Sequence, residues 1–172
     1  MSRFLLYVVS LLVLATDQLA KLAAVRLLPP GESRPLLGAY LSLTVQHNTG
    51  AAFGIFPAAT TALIVLGAII IIFIALWGLQ MAQSNRLLTA GLGMALGGAA
   101  GNLIDRLRLR YVVDFIDLHF WPVFNIADIA ITCGTILVVI ALFLRTRANR
   151  HDNSTNRQPA PPIHSDDYGK GR

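Results

Sequence analysis

Residues 111–131 read YVVDFIDLHFWPVFNIADIAI. The stretch sets Asp114 just before, and Asp128 just inside, an apolar segment that continues to Leu144. A carboxylate within a membrane-length helix costs about 2.5–3.5 kcal/mol on insertion scales, so an acid retained there points to function. Two acids converging on one end of such a segment point to a shared site. Along the segment Asn125, Asp128, Thr132 and Thr135 recur at steps of three and four, which places them in one polar stripe of a helix. The stripe begins at the end nearer Asp114.

The composition around this stretch is that of a membrane protein. Of 172 residues 55% are apolar and only 13% charged, with mean hydropathy +0.61, whereas about a quarter of a soluble domain is charged. The length suits one domain. A single cysteine excludes an internal disulfide. The net charge of +5 is not a nucleic-acid footprint, because the basic residues crowd into the end beyond Arg145 and no basic face is interleaved with aromatics.

Four apolar spans are expected, at about 4–26, 58–79, 87–104 and 123–144. The first, following Arg3, has the outline of a signal peptide. Its helical pattern nevertheless runs on through Asp17 and Lys21 and further spans follow, so it reads as an uncleaved helix. Pro29, Pro30 and Gly31 end it. Leu41, Leu43 and Val45 then alternate with Ser42, Thr44 and Gln46, a period of two that predicts a strand. With the small-residue turn after Asn48 it makes a platform over about 36–56, which must lie at the interface or pack on the bundle. Gly93, Gly97 and Gly101 form a ridge on the third span that admits another helix closely. Residues 105–122 return across the surface, extended or helical. Residues 1–148 form one domain, and the polar, proline-bearing 149–172 a disordered tail. Four spans put both termini on one face, and the Lys and Arg balance leans slightly towards that face being cytoplasmic.

Two neighbouring carboxylates cannot both ionise cheaply and so share a proton. The ionised one can take a proton from water while the protonated one polarises a carbonyl, which is peptide hydrolysis without a covalent intermediate. The competing reading has Asp114 capping the surface segment and Asp128 bonding a neighbouring helix. No His or Cys accompanies the acids at ligand spacing, so neither a metal nor a cofactor is expected. Asp17 and Lys21, at i,i+4, form either a structural ion pair or a group that positions substrate or lipid. Asn102, Asp105 and Arg106 share one helical face. There the guanidinium fork either holds a carboxylate or phosphate or belongs to a buried network. Cys133 reads as a small packing residue, and His47 and His119 as interfacial polar residues.

Taken together, five blocks, DQLAK (17–21), NTGAAF (48–53), GGAAGNLIDR (97–106), VVDF (112–115) and FNIAD (124–128), resemble the bacterial lipoprotein signal peptidases, signal peptidase II. The resemblance spans 17–131 in the family's order. It implies a mainly α membrane protein, a four-transmembrane-helix bundle with a small extracytoplasmic β-cradle and a surface helix. Residues 36–56 and about 107–120 would supply the cradle and that helix. It also implies an aspartic endopeptidase of the bacterial inner membrane that cuts prolipoproteins just before a diacylglyceryl-modified cysteine. Asp114 and Asp128 match its catalytic pair. Asn48, Gly50, Asn102, Arg106 and Asn125 fall in its active-site blocks, with Asp17, Lys21 and Asp105 as support. The site would lie at the periplasmic face with both termini cytoplasmic, and the partners are lipidated prolipoproteins and membrane lipids. The alternative from another class is a small proton- or ion-coupled transporter, which would need its acids near mid-bilayer and repeated halves.

Overall fold

A computed structural model describes residues 2–50, 57–78, 80 and 85–155. Helix α1 (Ser2–Leu27) leads into strands β1 (Ser33–Leu37) and β2 (Leu41–Asn48). Helix α2 (Pro57–Phe73) continues into a π turn (Ile74–Gly78), followed by α3 (Arg86–Leu109), strand β3 (Val112–Asp117) and α4 (Ile126–Thr155). Among the described residues three helices, Phe4–Leu27, Arg86–Leu109 and Ile126–Ala148, are long and apolar enough to cross a membrane. The expected second span is a shorter apolar helix, Thr60–Leu76. Its 17 α-helical residues and the 5 of the π turn together rise about 33 Å at 1.5 Å per residue, close to a hydrocarbon core.

Helix α3 is the centre of the bundle, and glycine is the reason. A Cβ on Gly93 would lie 2.8 Å from Leu6 O, one on Gly97 would strike Ser10 O, and one on Gly101 would lie 2.6 Å from Asp17 Oδ2. The expected ridge therefore receives α1, which runs parallel to α3. A second seam, not foreseen from the sequence, uses Gly91 and Gly98 on the other side. Their Cβ atoms would lie 2.7 Å from Gly134 O and 2.5 Å from Ala127 O, so α4 packs antiparallel at backbone contact. Most large apolar side chains of α1 and α4, such as Leu11, Leu12, Val139 and Phe143, face outward, as lipid contact requires.

At one end of the bundle sits an antiparallel sheet of order β1-β2-β3. Val45 of β2 and Val113 and Phe115 of β3 close a buried cluster over Ala24 and Leu28 of α1. The expected strand at 41–47 is present, but its alternation is broken by a register shift between Leu43 and Gln46. Ser42 is consequently buried while Leu41 and Leu43 are only partly so. Strand β1 was not anticipated, and all five of its residues are exposed. Pro35 is tolerated there because β1 is an edge.

Residues 107–120 require a correction to the expected surface helix. Helix α3 runs on to Leu109 and ends at Arg110, whose φ of 69° turns the chain with its N–H on Arg106 O. Val112–Asp117 then forms β3, because a β-branched, alternating run finds β2 as a partner. Among the described residues this segment contains no separate surface helix. The fourth helix begins at Ile126, after the loop 118–125, and its backbone stays helical to Thr155, past the expected domain end at 148. Residues 51–56 and the tail from 156 lie outside the described residues.

Candidate active site

The first turn of α4 anchors the site. Asn125 is its N-cap and Asp128 its third residue, and the two cap one another. Asp128 N donates to Asn125 Oδ1 (3.0 Å), and Asn125 N donates to Asp128 Oδ2 (3.3 Å). This is a capping box built from Asn and Asp. Between them Ala127 N donates to Asp17 Oδ1 of α1 at 2.9 Å, so a second helix supplies the remaining cap. The cap leaves Asn125 Nδ2 free to donate to Asp114 Oδ1 (2.6 Å) and to Asn102 Oδ1 (3.2 Å). Asn102 Nδ2 in turn donates to Asp128 Oδ1 at 2.8 Å. The two aspartates are thus joined through Asn125 directly, and again through Asn102.

Asp114 is on β3, opposite Gln46 of β2. Two residues along β2, Asn48 Nδ2 donates to Asp114 Oδ2 at 2.9 Å. Asn48 also accepts from Gly50 N (2.7 Å), which fixes its amide. The Asp114 carboxyl is 1% exposed. Burial pushes its pKa up from 3.8 to about 6, and the negative charge of Asp128 adds to the rise, while the Asn48 and Asn125 hydrogen bonds and Lys21 oppose it. Asp128, at the start of α4 where unsatisfied N–H groups favour an anion, is only partly buried.

Behind this pair lies a second polar cluster. Lys21 Nζ meets Asp17 Oδ2 (2.8 Å), Asp105 Oδ2 (2.8 Å) and Asn102 Oδ1 (2.9 Å), which uses all three of its donors. Gln18 Nε2 donates to Asp105 Oδ1 at 2.9 Å, and Val113 N to Asp105 Oδ2 at 3.3 Å. Asp17 is fully buried and Lys21 nearly so, so of the two readings of this pair the structural one fits. Asp17, Lys21 and Asp105 tie α1, α3, β3 and α4 together beneath the site. Gln18 was overlooked in the sequence; its only signal was a polar side chain beside Asp17 in an apolar helix.

Arg106 stands beside the aspartates, its charge acting on Asp128, Asp114 and Asp105 in that order. Its Nη1 donates weakly to Asn102 O (3.4 Å), and its buried Nε has no hydrogen-bond partner among the described residues. Gly50, at φ 72°, closes over the guanidinium, since a Cβ there would lie 3.9 Å from Nη2. Every residue singled out in the sequence therefore belongs to one connected site.

Two clefts open on it. A polar one of about 370 Å³ is lined by His47, Asn48, Asp114 and Pro122, among others. An apolar one of about 350 Å³ is lined by Phe120, Phe124, Asp128, Ile129 and Cys133, among others. Trp121 borders both. Cys133 is exposed in its cleft rather than packed, contrary to expectation. His119, at φ 64°, bonds Ser42 Oγ through Nε2 (3.1 Å) and Asp117 Oδ1 through its backbone N–H (2.8 Å), fastening the loop that carries Trp121 to the sheet. The arrangement offers a proton-holding carboxyl, a second acid placed to stay ionised, and a guanidinium with unused donors. That is the equipment for activating water against a carbonyl.

Comparisons with known proteins agree. The sequence profile described as Signal peptidase (SPase) II matches residues 9–144. A lipoprotein signal peptidase of Moorella thermoacetica is 45% identical over 135 residues, covering 78% of this chain and 90% of that protein. One of Halothermothrix orenii is 38% identical over 139 residues, covering 81% and 95%. Among solved structures, one described as a bacterial membrane enzyme determined by the in meso method at 1.9 Å superposes with a TM-score of 0.74. It is 34% identical and covers 78% of this chain and 90% of its own. Another, at 2.3 Å, gives a TM-score of 0.73 at 30% identity, covering 91% and 92%.

Proposed function

Since the chain belongs to the signal peptidase II family, we propose that Asp114 and Asp128 are the acid and the base with which it hydrolyses its substrate. As a member of that family it is an aspartic peptidase of the inner membrane, spans it more than once and removes signal peptides from prolipoproteins. The observation that carries the assignment is the shared partner. One buried amide, Asn125, bonds Asp114 through its nitrogen and is locked in a capping box with Asp128.

The roles follow from environment. Burial holds the proton on Asp114, so Asp114 donates a hydrogen bond to the scissile carbonyl. Asp128, hydrogen-bonded by Asn102 and the Asn125 N–H at a helix N-terminus, is kept as the anion that accepts a proton from water. Water oxygen adds to the carbonyl carbon, its proton passes to Asp128, and the Asp114 proton goes to the carbonyl oxygen. Collapse of the tetrahedral intermediate returns a proton to Asp114 as the carbonyl re-forms, while the proton on Asp128 goes to the departing amine. Arg106 lends positive charge beside the developing oxyanion.

The cut falls on the amino side of a diacylglyceryl-modified cysteine, in a substrate that arrives from the bilayer. No cofactor, metal or nucleic acid takes part. Both termini are cytoplasmic and the sheet end of the bundle is periplasmic. In support, Ser2 and Thr155 belong to helix ends remote from the sheet, and Asp128 occupies the first turn of its helix. A proton-coupled transporter would hold its acids midway along the spans.

The test is cleavage of a diacylglyceryl-modified prolipoprotein by purified protein in nanodiscs. Asp114→Asn and Asp128→Asn are each expected to abolish it while folded yield persists. Undiminished activity in either variant would refute the pairing.

A further inference from the structure

We propose that the apolar cleft beside Asp128 seats the acyl chains of the substrate, with Trp121 as the wall between them and the peptide strand on the Asp114 side. The inference rests on the peptidase reading above and goes beyond it in assigning the two clefts to two halves of one substrate. Each cleft contains one of the aspartates and both share Trp121, so a chain whose scissile bond lies between the acids must occupy both.

The clefts differ in chemistry. The one at Asp114 is lined by Gln46, Asn48 and Thr49. The one at Asp128 is walled by Phe120, Phe124 and Ile129 and continues along α4 to Cys133. Ile129 is 42% exposed and Cys133 is also exposed, one helical turn apart on a membrane-length helix. The apolar cleft is thus continuous with the lipid-facing side of α4 at one end and with the catalytic acid at the other.

A lipid carried on the residue next to the scissile bond must bring its first methylenes up to the aspartates. Each methylene left in water would weaken binding about fourfold. An apolar channel from the bilayer to Asp128 removes that penalty. Lipid tails are as apolar as the cleft wall, so the cleft adds little affinity of its own. Its effect is positional, since the modified residue reaches the acids while its chains never leave apolar surroundings.

Cys133 is the only cysteine of the chain and reports on the cleft directly. Full-length wild-type protein in nanodiscs is alkylated with a maleimide in the presence of a non-cleavable peptide bearing a dipalmitoylglyceryl cysteine. Parallel arms use the same peptide without lipid, and dipalmitoylglycerol alone at the same concentration. At saturation the lipidated peptide is expected to slow labelling by about tenfold or more, with the other two arms near the uninhibited rate. Equal protection by the unlipidated peptide would place the signal peptide in the cleft and overturn the proposal. Equal protection by dipalmitoylglycerol would make the cleft a general lipid site and also overturn it. Unchanged labelling with the lipidated peptide, while its cleavable form is hydrolysed, would overturn it and leave the peptidase reading standing. Failure of the wild type to cleave that form would overturn both.

Discussion

Lys21 Nζ lies 2.9 Å from Asn102 Oδ1, and this contact decides which way the Asn102 amide faces. An ammonium can only donate, so the oxygen must turn towards Lys21 and the nitrogen towards Asp128, to which it donates at 2.8 Å. A lysine that cannot reach substrate thereby sets the hydrogen bonding of a catalytic carboxylate. Lys21→Met leaves Asp17 and Asp105 buried without their cation. The expected loss is about 3–5 kcal/mol of stability, read as a fall in the unfolding midpoint in detergent. An unchanged midpoint would show that the cluster is not an ion-pair hub.

Asp114 makes activity depend on pH with a definite sign. Its proton is needed on the carbonyl side, so kcat/KM should fall as pH rises through about 6. The Asn48 hydrogen bond favours the carboxylate form. Removing it in Asn48→Ala raises the Asp114 pKa further and should move this limb to higher pH. A limb that stays put or moves to lower pH would take Asp114 out of the acid role.

The same carboxyl shapes stability. A folded-state pKa raised from 3.8 to about 6 means that the folded protein holds more protons than the unfolded chain between those values. The stability contributed by that proton is complete below 3.8 and is lost as pH rises through 6. Unfolding midpoints measured from pH 3.5 to 7 should therefore decline across this window in the wild type. In Asp114→Asn this part of the decline should be absent.

Close packing on α3 predicts a contrast between glycines. Gly98→Ala places a methyl 2.5 Å from the backbone oxygen of Ala127, beneath the capped turn. It should cost about 1–3 kcal/mol by overpacking and displace Asp128, lowering kcat. Gly67→Ala meets only Leu103 Cδ1 at 3.7 Å and should be neutral to within about 0.5 kcal/mol. Thermal unfolding and cleavage assays on the two variants, side by side, check both halves.

The spans, the strand at 41–47 and the residues of the site could be read in the sequence because each has a local signature. A long apolar run, a period of two, or an acid placed where acids are costly is visible in a single segment. What escaped was decided by distant partners. Strand β1 has no buried face and carries a proline, so nothing local marks it, and it exists because β2 offers an edge. Residues 112–117 are extended rather than helical because they complete that sheet. The second glycine seam could not be told from ordinary helix composition until α4 was placed against Gly91 and Gly98. Gln18 became part of the site only through Asp105, 87 residues away.

The bond from Ala127 N to Asp17 Oδ1 has a consequence for how the protein is made. The first helix to leave the ribosome carries the acid that finishes the N-terminus of the last. Until that last helix is threaded, Asp17 and Lys21 have only each other in the bilayer. The catalytic turn therefore cannot be in working order in any nascent chain lacking its final segment, and half-built copies are inert towards the lipoproteins passing through the same membrane.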